Sequence, residues 1–348
     1  MRGALYSISN TFGVERLFTF LNRDRPMVLA FHGVTSEEPG HICNHDGKHL
    51  HLPIFTRFME YLRARYAPVS LNRVLDWLEG RDELPDRAVS VTFDDGYLNV
   101  LDNAVPVLKR LGIPATVFVV TDFVRKGKMI WTDEVVSAVA MTREPRLALA
   151  WKDEMIELPL SNVKEKIEAD RRIRSVCKSL ADSERGRLLA DIFARLHVDE
   201  TMLKSAWGDH APLRPSDIKT LREQGIEVGS HSRSHRILAR CKPDEMADEL
   251  ETSKHWIEET TNAPCEHFSY PNGRPGDFSD DTRHYVIKSG YRCALTTVTK
   301  RVKRGDDQFE IPRYTLGNNQ TTLTEFAAEM SGYPSLLRTL KRGFVPSS

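Results

Sequence analysis

Two short stretches hold the residues best suited to chemistry. An apolar run at 89–93 ends in two adjacent carboxylates and a glycine, Asp94, Asp95 and Gly96. A second run, 226–229, leads into two histidines four residues apart, His231 and His235. Carboxylate oxygen and imidazole nitrogen together suit Zn2+, with Mn2+, Co2+ and Ni2+ as the other first-row choices. Two histidines and one carboxylate leave coordination positions open for water and substrate, as catalysis requires. Neighbouring strand residues point to opposite faces, so two adjacent aspartates serve one site only where the chain turns. Gly96 supplies a turn. One carboxylate then goes to the metal and the other to the attacking water. Such a site polarises a carbonyl oxygen while the free carboxylate removes a proton from water. The chemistry is hydrolysis of an amide or ester. Taken singly, Asp-Asp-Gly reads as an acidic turn and the histidine pair as a surface helix start. Their matching positions at strand ends single them out together.

The elements that must position them alternate between strand and helix. Residues 27–31 form an apolar run ending at His32 and Gly33. Phe55, Phe58, Met59 and Leu62 keep helical spacing and predict a helix over 54–65. Residues 71–78 predict another, and 88–93 a strand ending at the Asp pair. Leu101, Val105, Leu108 and Leu111 mark a helix closed by Gly112, with Pro106 moving its start to about 104. Residues 115–120 read as a strand. After the interruption at 126–214 the alternation resumes: a helix over 216–224 capped by Ser216, a strand at 226–229, a helix over 244–260, and a strand at 267–270. The segments 286–290, 293–297 and 311–316 complete it. Repeated strand–helix units predict a parallel sheet with helices outside, open or closed into a barrel. In either form sites gather at the C-terminal strand ends, where Asp94, Asp95, His231 and the 270–273 turn all fall.

Residues 126–214 are rich in charge and read as a mostly helical insertion. Ile173, Val176 and Leu180 share one apolar face, and Leu188, Leu189, Ile192 and Leu196 another. The domain reading is an N-terminal helical segment (1–26), a catalytic domain (27–325) carrying that insertion, and a basic tail (326–348).

Composition narrows the function. Lys+Arg and Asp+Glu both number 49, which gives no case for nucleic acid. Five cysteines without a C-x-x-C argue against a disulfide framework and a thiolate zinc site. The first 25 residues contain no clean apolar core of a signal peptide, and a cytoplasmic location is the expectation. Leu5, Ile8, Phe12, Phe18 and Leu21 form an apolar helical face beside Arg23 and Arg25, and 336–344 is basic and apolar. Either segment suits docking on the fold, or peripheral contact with the inner face of a membrane.

These motifs resemble the polysaccharide deacetylases, the NodB-homology or carbohydrate esterase family 4 enzymes. Residues 92–96 (Thr-Phe-Asp-Asp-Gly) match the first family motif, and 231–235 (His-Ser-Arg-Ser-His) the second. Residues 268–273 (Phe-Ser-Tyr-Pro-Asn-Gly) resemble the third. The resemblance covers roughly 27–125 and 215–316. It implies an α/β fold, a distorted (β/α) barrel with fewer than eight units. It implies that Asp94 is the general base and that Asp95, His231 and His235 hold one divalent ion. Tyr270, Pro271 and Asn272 would line the substrate, with a backbone oxyanion contact near Asn272. Many members carry an arginine in the third motif that orients the base; here that stretch has Ser269 and Asn272, and Arg313 is the candidate to take over. The late Leu-x-x-His motif that provides the acid is not visible after 285. His32 is the candidate for protonating the leaving amine. His41, His45, His49 and His51 crowd one loop, as a rim of the site or simply as solvated residues.

The resemblance implies removal of an N-acetyl group from an amino sugar of a polysaccharide or glycan precursor. Without an export signal, a nucleotide- or lipid-linked sugar fits better than a mature wall polymer. A deformylase or cyclic-amide hydrolase would use the same groups. A glycan-binding protein with a degenerate site is the alternative from another class.

Overall fold

The computed structural model describes residues 14–37, 42–151, 154–205, 207–317 and 322–334. Along the chain the strands are β1 (Met27–Phe31), β2 (Gly33–Thr35), β3 (His49–His51), β4 (Ala67–Pro68), β5 (Ala88–Phe93) and β6 (Ala115–Val119). There follow β7 (Arg146–Trp151), β8 (Glu154–Pro159), β9 (Glu227–Ser230), β10 (His267–Ser269), β11 (Cys293–Leu295) and β12 (Tyr314–Thr315).

β1, β5 and β6 are buried at every position, as parallel strands covered on both faces must be. The main sheet runs β11-β10-β9-β6-β5-β1-β12 with all neighbours parallel, and β4 pairs with the start of β5. β12 lies against β1, and just before it Ile311 bridges in parallel to Leu295 of β11. The two edges of the sheet therefore meet through residues 311–315. This is a distorted (β/α) barrel, and the segment that brings its edges together carries Arg313.

The helices keep their expected places. Leu52–Arg65 buries Phe55, Phe58, Met59 and Leu62, and Leu71–Leu78 starts at a Ser70 cap. Pro106 cannot donate, and Val105 N–H instead reaches back to Val100 O in a wide turn before the helix Val105–Leu111. The helix expected from Ser216 begins one residue earlier, at Pro215, with the Asp217 carboxylate accepting the Arg214 N–H at 2.8 Å.

The insertion is mostly helical, and β7 and β8 add to it an antiparallel hairpin the sequence did not suggest, with Leu147 opposite Leu158 and Leu149 opposite Ile156. Leu147, Leu149 and Leu158 bury themselves with Val135, Ile173 and Ile192 in a second hydrophobic core. The boundary expected after residue 325 falls inside the helix Leu323–Ser331. Phe326 there is fully buried, stacked on Phe58 at 4.1 Å between ring centroids. Burying that side chain is worth about 2–3 kcal/mol, so the helix belongs to the barrel.

The N-terminal helix Val14–Leu21 packs on Leu323–Ser331, with the Phe18 and Tyr333 rings 5.5 Å apart. Its outer face leaves Leu17, Phe20 and Leu21 more than half exposed. Leu5, Ile8, Phe12 and the 336–344 segment lie outside the described residues. No helix among the described residues is long and apolar enough to cross a membrane.

Candidate active site

The ladder of β5 continues one residue past its end, where Asp94 N–H bonds Phe31 O at 2.9 Å. The chain then turns. Asp95 has φ 77° and Gly96 φ 91°, so the turn begins on the second aspartate itself. A side chain in the left-handed region costs energy and is held there only by its surroundings. Gly96 is further constrained by packing: a Cβ there would lie 3.1 Å from Val119 Cγ1.

His231 and His235 occupy the loop leaving β9. His231 Nδ1 lies 2.7 Å from Ser269 O. A carbonyl only accepts, so Nδ1 carries the proton and Nε2 presents its lone pair. His231 Nε2 lies 3.6 Å and His235 Nε2 3.5 Å from one oxygen, Asp95 Oδ1. These separations are long for hydrogen bonds. They approach the roughly 3.4 Å edge of a tetrahedron with ligand bonds of about 2.0–2.1 Å. Asp95 Oδ1 is buried and has no hydrogen-bond partner, a costly state that a cation would relieve. The trio therefore fits a divalent ion. Burial alone would raise the Asp95 pKa, but Lys48 and the three nearby imidazoles hold it well below the usual carboxylate range. Burial pushes His235 down to about 3, keeping it neutral as a ligand must be. The loop is shaped from below by Glu249, fully buried, which accepts the Ser234 N–H at 2.8 Å and its hydroxyl at 2.5 Å.

Asp94 faces a different partner. Arg313 Nη1 donates to Asp94 Oδ1 at 2.8 Å and Nη2 to Oδ2 at 2.7 Å. The guanidinium also reaches Ser269 Oγ at 2.8 Å, Thr92 Oγ1 at 3.2 Å and Thr296 O at 2.9 Å. Burial opposes ionisation of Asp94, yet the Arg313 charge keeps its pKa below the ordinary value. Ser269, in the third motif, thus carries one arm of an arginine that arrives from the segment just before β12.

His32 is half-buried between β1 and β2. Burial lowers its pKa against the opposing pull of Asp95 and Asp94. The third-motif residues divide. The Tyr270 hydroxyl donates to Phe309 O at 3.0 Å and its N–H to Leu295 O at 3.0 Å, so both are spent inside the fold. Pro271 has no N–H. Asn272, at φ 58°, has a buried Nδ2 without a partner, and is the member of the three left to offer donors.

Three further residues belong here. Lys48 Nζ lies 2.9 Å from Asp95 Oδ2 and 2.8 Å from Asp133 Oδ1. Tyr97 Oη lies 3.0 Å from the same Asp95 oxygen and 2.5 Å from Asp133 Oδ2. Tyr97 directly follows the first motif and was within reach of the sequence; Lys48 and Asp133 carry no periodic or motif signal. Of the crowded histidines, His45 pairs with Asp170 at 2.7 Å, and His49 is buried with its ring 4.7 Å from Tyr97. His51 is half-buried, and His41 lies outside the described residues.

The model of the polysaccharide deacetylase family matches residues 81–153 and 187–294, more than half of the chain. The unmatched stretch between them holds β8 and the helix Val163–Lys178 of the insertion. The putative polysaccharide deacetylase YxkH of Bacillus subtilis (strain 168) is 20% identical over 234 residues, 67% of this chain and 53% of its own length. The chain thus spans about half the length of that curated relative. Among solved structures, IcaB from Ammonifex degensii superposes with a TM-score of 0.57 at 18% identity, over 88% of this chain and 97% of that one. The Streptococcus pyogenes deacetylase PplD gives 0.56 at 16%, over 85% and 93%. A de-N-acetylase from Aggregatibacter actinomycetemcomitans gives 0.56 at 16%, over 88% and 100%. At these identities the superpositions speak for a common fold. With the family motifs at the mouth of that fold and the family model matched across it, the chain belongs to the polysaccharide deacetylase family.

Proposed function

We propose that this protein is a metal-dependent hydrolase that removes the N-acetyl group from an amino sugar of a polysaccharide or glycan precursor. One observation carries the reading: a buried, unpartnered carboxylate oxygen of Asp95 faces two imidazole Nε2 atoms, beside a second carboxylate clamped by arginine. Asp95, His231 and His235 would hold the ion. Zn2+ is the chemical preference for this set, and Mn2+, Co2+ and Ni2+ fit it too. When bound, the ion polarises the amide carbonyl and makes water more acidic.

The remaining work falls to the chain. Asp94 is ionised and takes the proton from the attacking water. Arg313 keeps it ionised and fixes its oxygens. Asn272 donates to the oxygen on which charge develops. His32 gives a proton to the departing amine, so the nitrogen leaves neutral as the carbon–nitrogen bond breaks.

A nucleotide- or lipid-linked sugar is the substrate we favour, at a cytoplasmic site or at the inner face of a membrane. The exposed Leu17, Phe20 and Leu21, beside Arg16 and Arg23, support surface contact. The deciding experiment pairs elemental analysis of the purified protein with acetate and formate release from acetylated and formylated amino sugars and their linked forms. Acetate release by protein holding one ion per chain is expected. Formate release alone would move the assignment to a deformylase, and no release by the loaded protein to a glycan-binding role.

A further inference from the structure

The loop that carries Lys48 is gripped from two sides. On the barrel side β3 pairs with β2, and the Asn44 side chain accepts the His49 N–H at 2.9 Å and donates to His49 O at 2.7 Å. Gly33 permits this approach, since a Cβ there would sit 1.9 Å from His49 Nδ1. On the other side the insertion holds the loop at three successive places. His45 meets Asp170, Asp46 meets Arg174 at 2.9 Å, and Lys48 meets Asp133. The fixed end of this arrangement is Lys48 Nζ on Asp95 Oδ2, the oxygen turned away from the two imidazoles.

We propose that Lys48 is a positioning residue of the site, and that the insertion acts on the reaction through it. The inference rests on the metal reading above. A carboxylate with both oxygens free can bind an ion through one or both. Here Lys48 engages Oδ2, so Asp95 presents Oδ1 alone. Single-oxygen binding keeps the coordination number low and leaves positions open for water and substrate. Asp133 balances the Lys48 charge, so the ammonium stays on Asp95 without adding an uncompensated cation beside the ion. Tyr97 has one proton for two carboxylate oxygens. Its shorter contact, to Asp133, takes that proton, which leaves Lys48 as the charged donor to Asp95.

The test uses the full chain stripped of metal and loaded with Co2+, whose visible absorption is strong at four-coordinate sites and weak at higher coordination. In the parent protein one Co2+ per chain with strong bands is expected. Lys48→Met should keep one Co2+ per chain, lose band intensity several-fold as Oδ2 joins the ion, and lower kcat about 10- to 100-fold, the scale of losing an outer partner of a metal ligand. Lys48→Arg should recover part of the band intensity. Asp133→Asn, a gentler change, should move spectrum and kcat the same way by less, and decides the matter if Lys48→Met does not fold. A Lys48→Met spectrum and kcat equal to the parent's would overturn the proposal, as would a parent-like Asp133→Asn where that variant decides. If Asp95→Ala binds Co2+ as tightly as the parent, the metal reading itself fails and takes this inference with it.

Discussion

Arg313 and Asp94 stand 219 residues apart in sequence and meet through two parallel hydrogen bonds of 2.8 and 2.7 Å, with the arginine side chain wholly removed from solvent. The planar fork of a guanidinium matches both carboxylate oxygens at once, which fixes direction as well as charge. Arg313→Met would strip a buried carboxyl of the charge that keeps it ionised, a loss of about 3–5 kcal/mol. We expect a lower Tm and a kcat reduced at least 100-fold. Asp94→Asn combined with Arg313→Met should regain much of the stability and none of the activity. A thermal melt of Arg313→Met matching the parent would show that the pair holds neither the fold nor the base.

Metal content separates the base and the acid from the ligands. Asp94→Asn keeps the Arg313 contact in part and leaves Asp95, His231 and His235 untouched. It should retain the ion and lose two or more orders of magnitude in kcat, the effect of losing a general base. His32→Ala should also keep its ion while turnover slows. Metal loss from His32→Ala would make that residue a ligand, and undiminished hydrolysis by Asp94→Asn would remove it as the base.

What the sequence showed of this arrangement follows from how local each signal is. The strand ending at Asp94 and the helices Leu52–Arg65 and Leu71–Leu78 were legible because burial period and turn chemistry lie within a few residues. The convergence of Asp95 with His231 and His235 was legible because parallel strands bring their C-terminal ends together. Lys48 and Asp133 were not. Each is an ordinary charged residue in a loop or an inserted helix, and only the three-point grip between loop and insertion gives them a place. The hairpin of β7 and β8 escaped because its buried period-two pattern is two side chains deep per strand amid dense charge. The Asp95 backbone was half-read: glycine announced the turn, while the turn starts on the aspartate before it.

Removing the ion should stop hydrolysis. Treatment with a chelator and dialysis should abolish acetate release, and Zn2+ or Co2+ at one equivalent should restore it. Because the ion would bind the folded chain alone, adding it at 1,000 times its Kd should stabilise the fold by about 4 kcal/mol and raise Tm. Asp95→Ala and His231→Ala should lose both effects. Hydrolysis that survives complete removal of metal would exclude the ion from the reaction.

Glu134 offers a test of the insertion that leaves the catalytic groups alone. Burial, reinforced by the nearby Asp133 and Glu200 charges and opposed by Lys128, raises its pKa from 4.5 to about 7. The folded chain therefore holds a proton between those pH values that the unfolded chain has released. Stability falls as pH rises through that window, and above pH 7 the full penalty applies, up to about 3 kcal/mol. Glutamine keeps the shape and removes the charge. Glu134→Gln should melt several degrees above the parent at pH 8, with the gap closing towards pH 4.5, where both side chains are neutral in the fold. Parallel melting curves across that range would mean that Glu134 is hydrated and ionises normally.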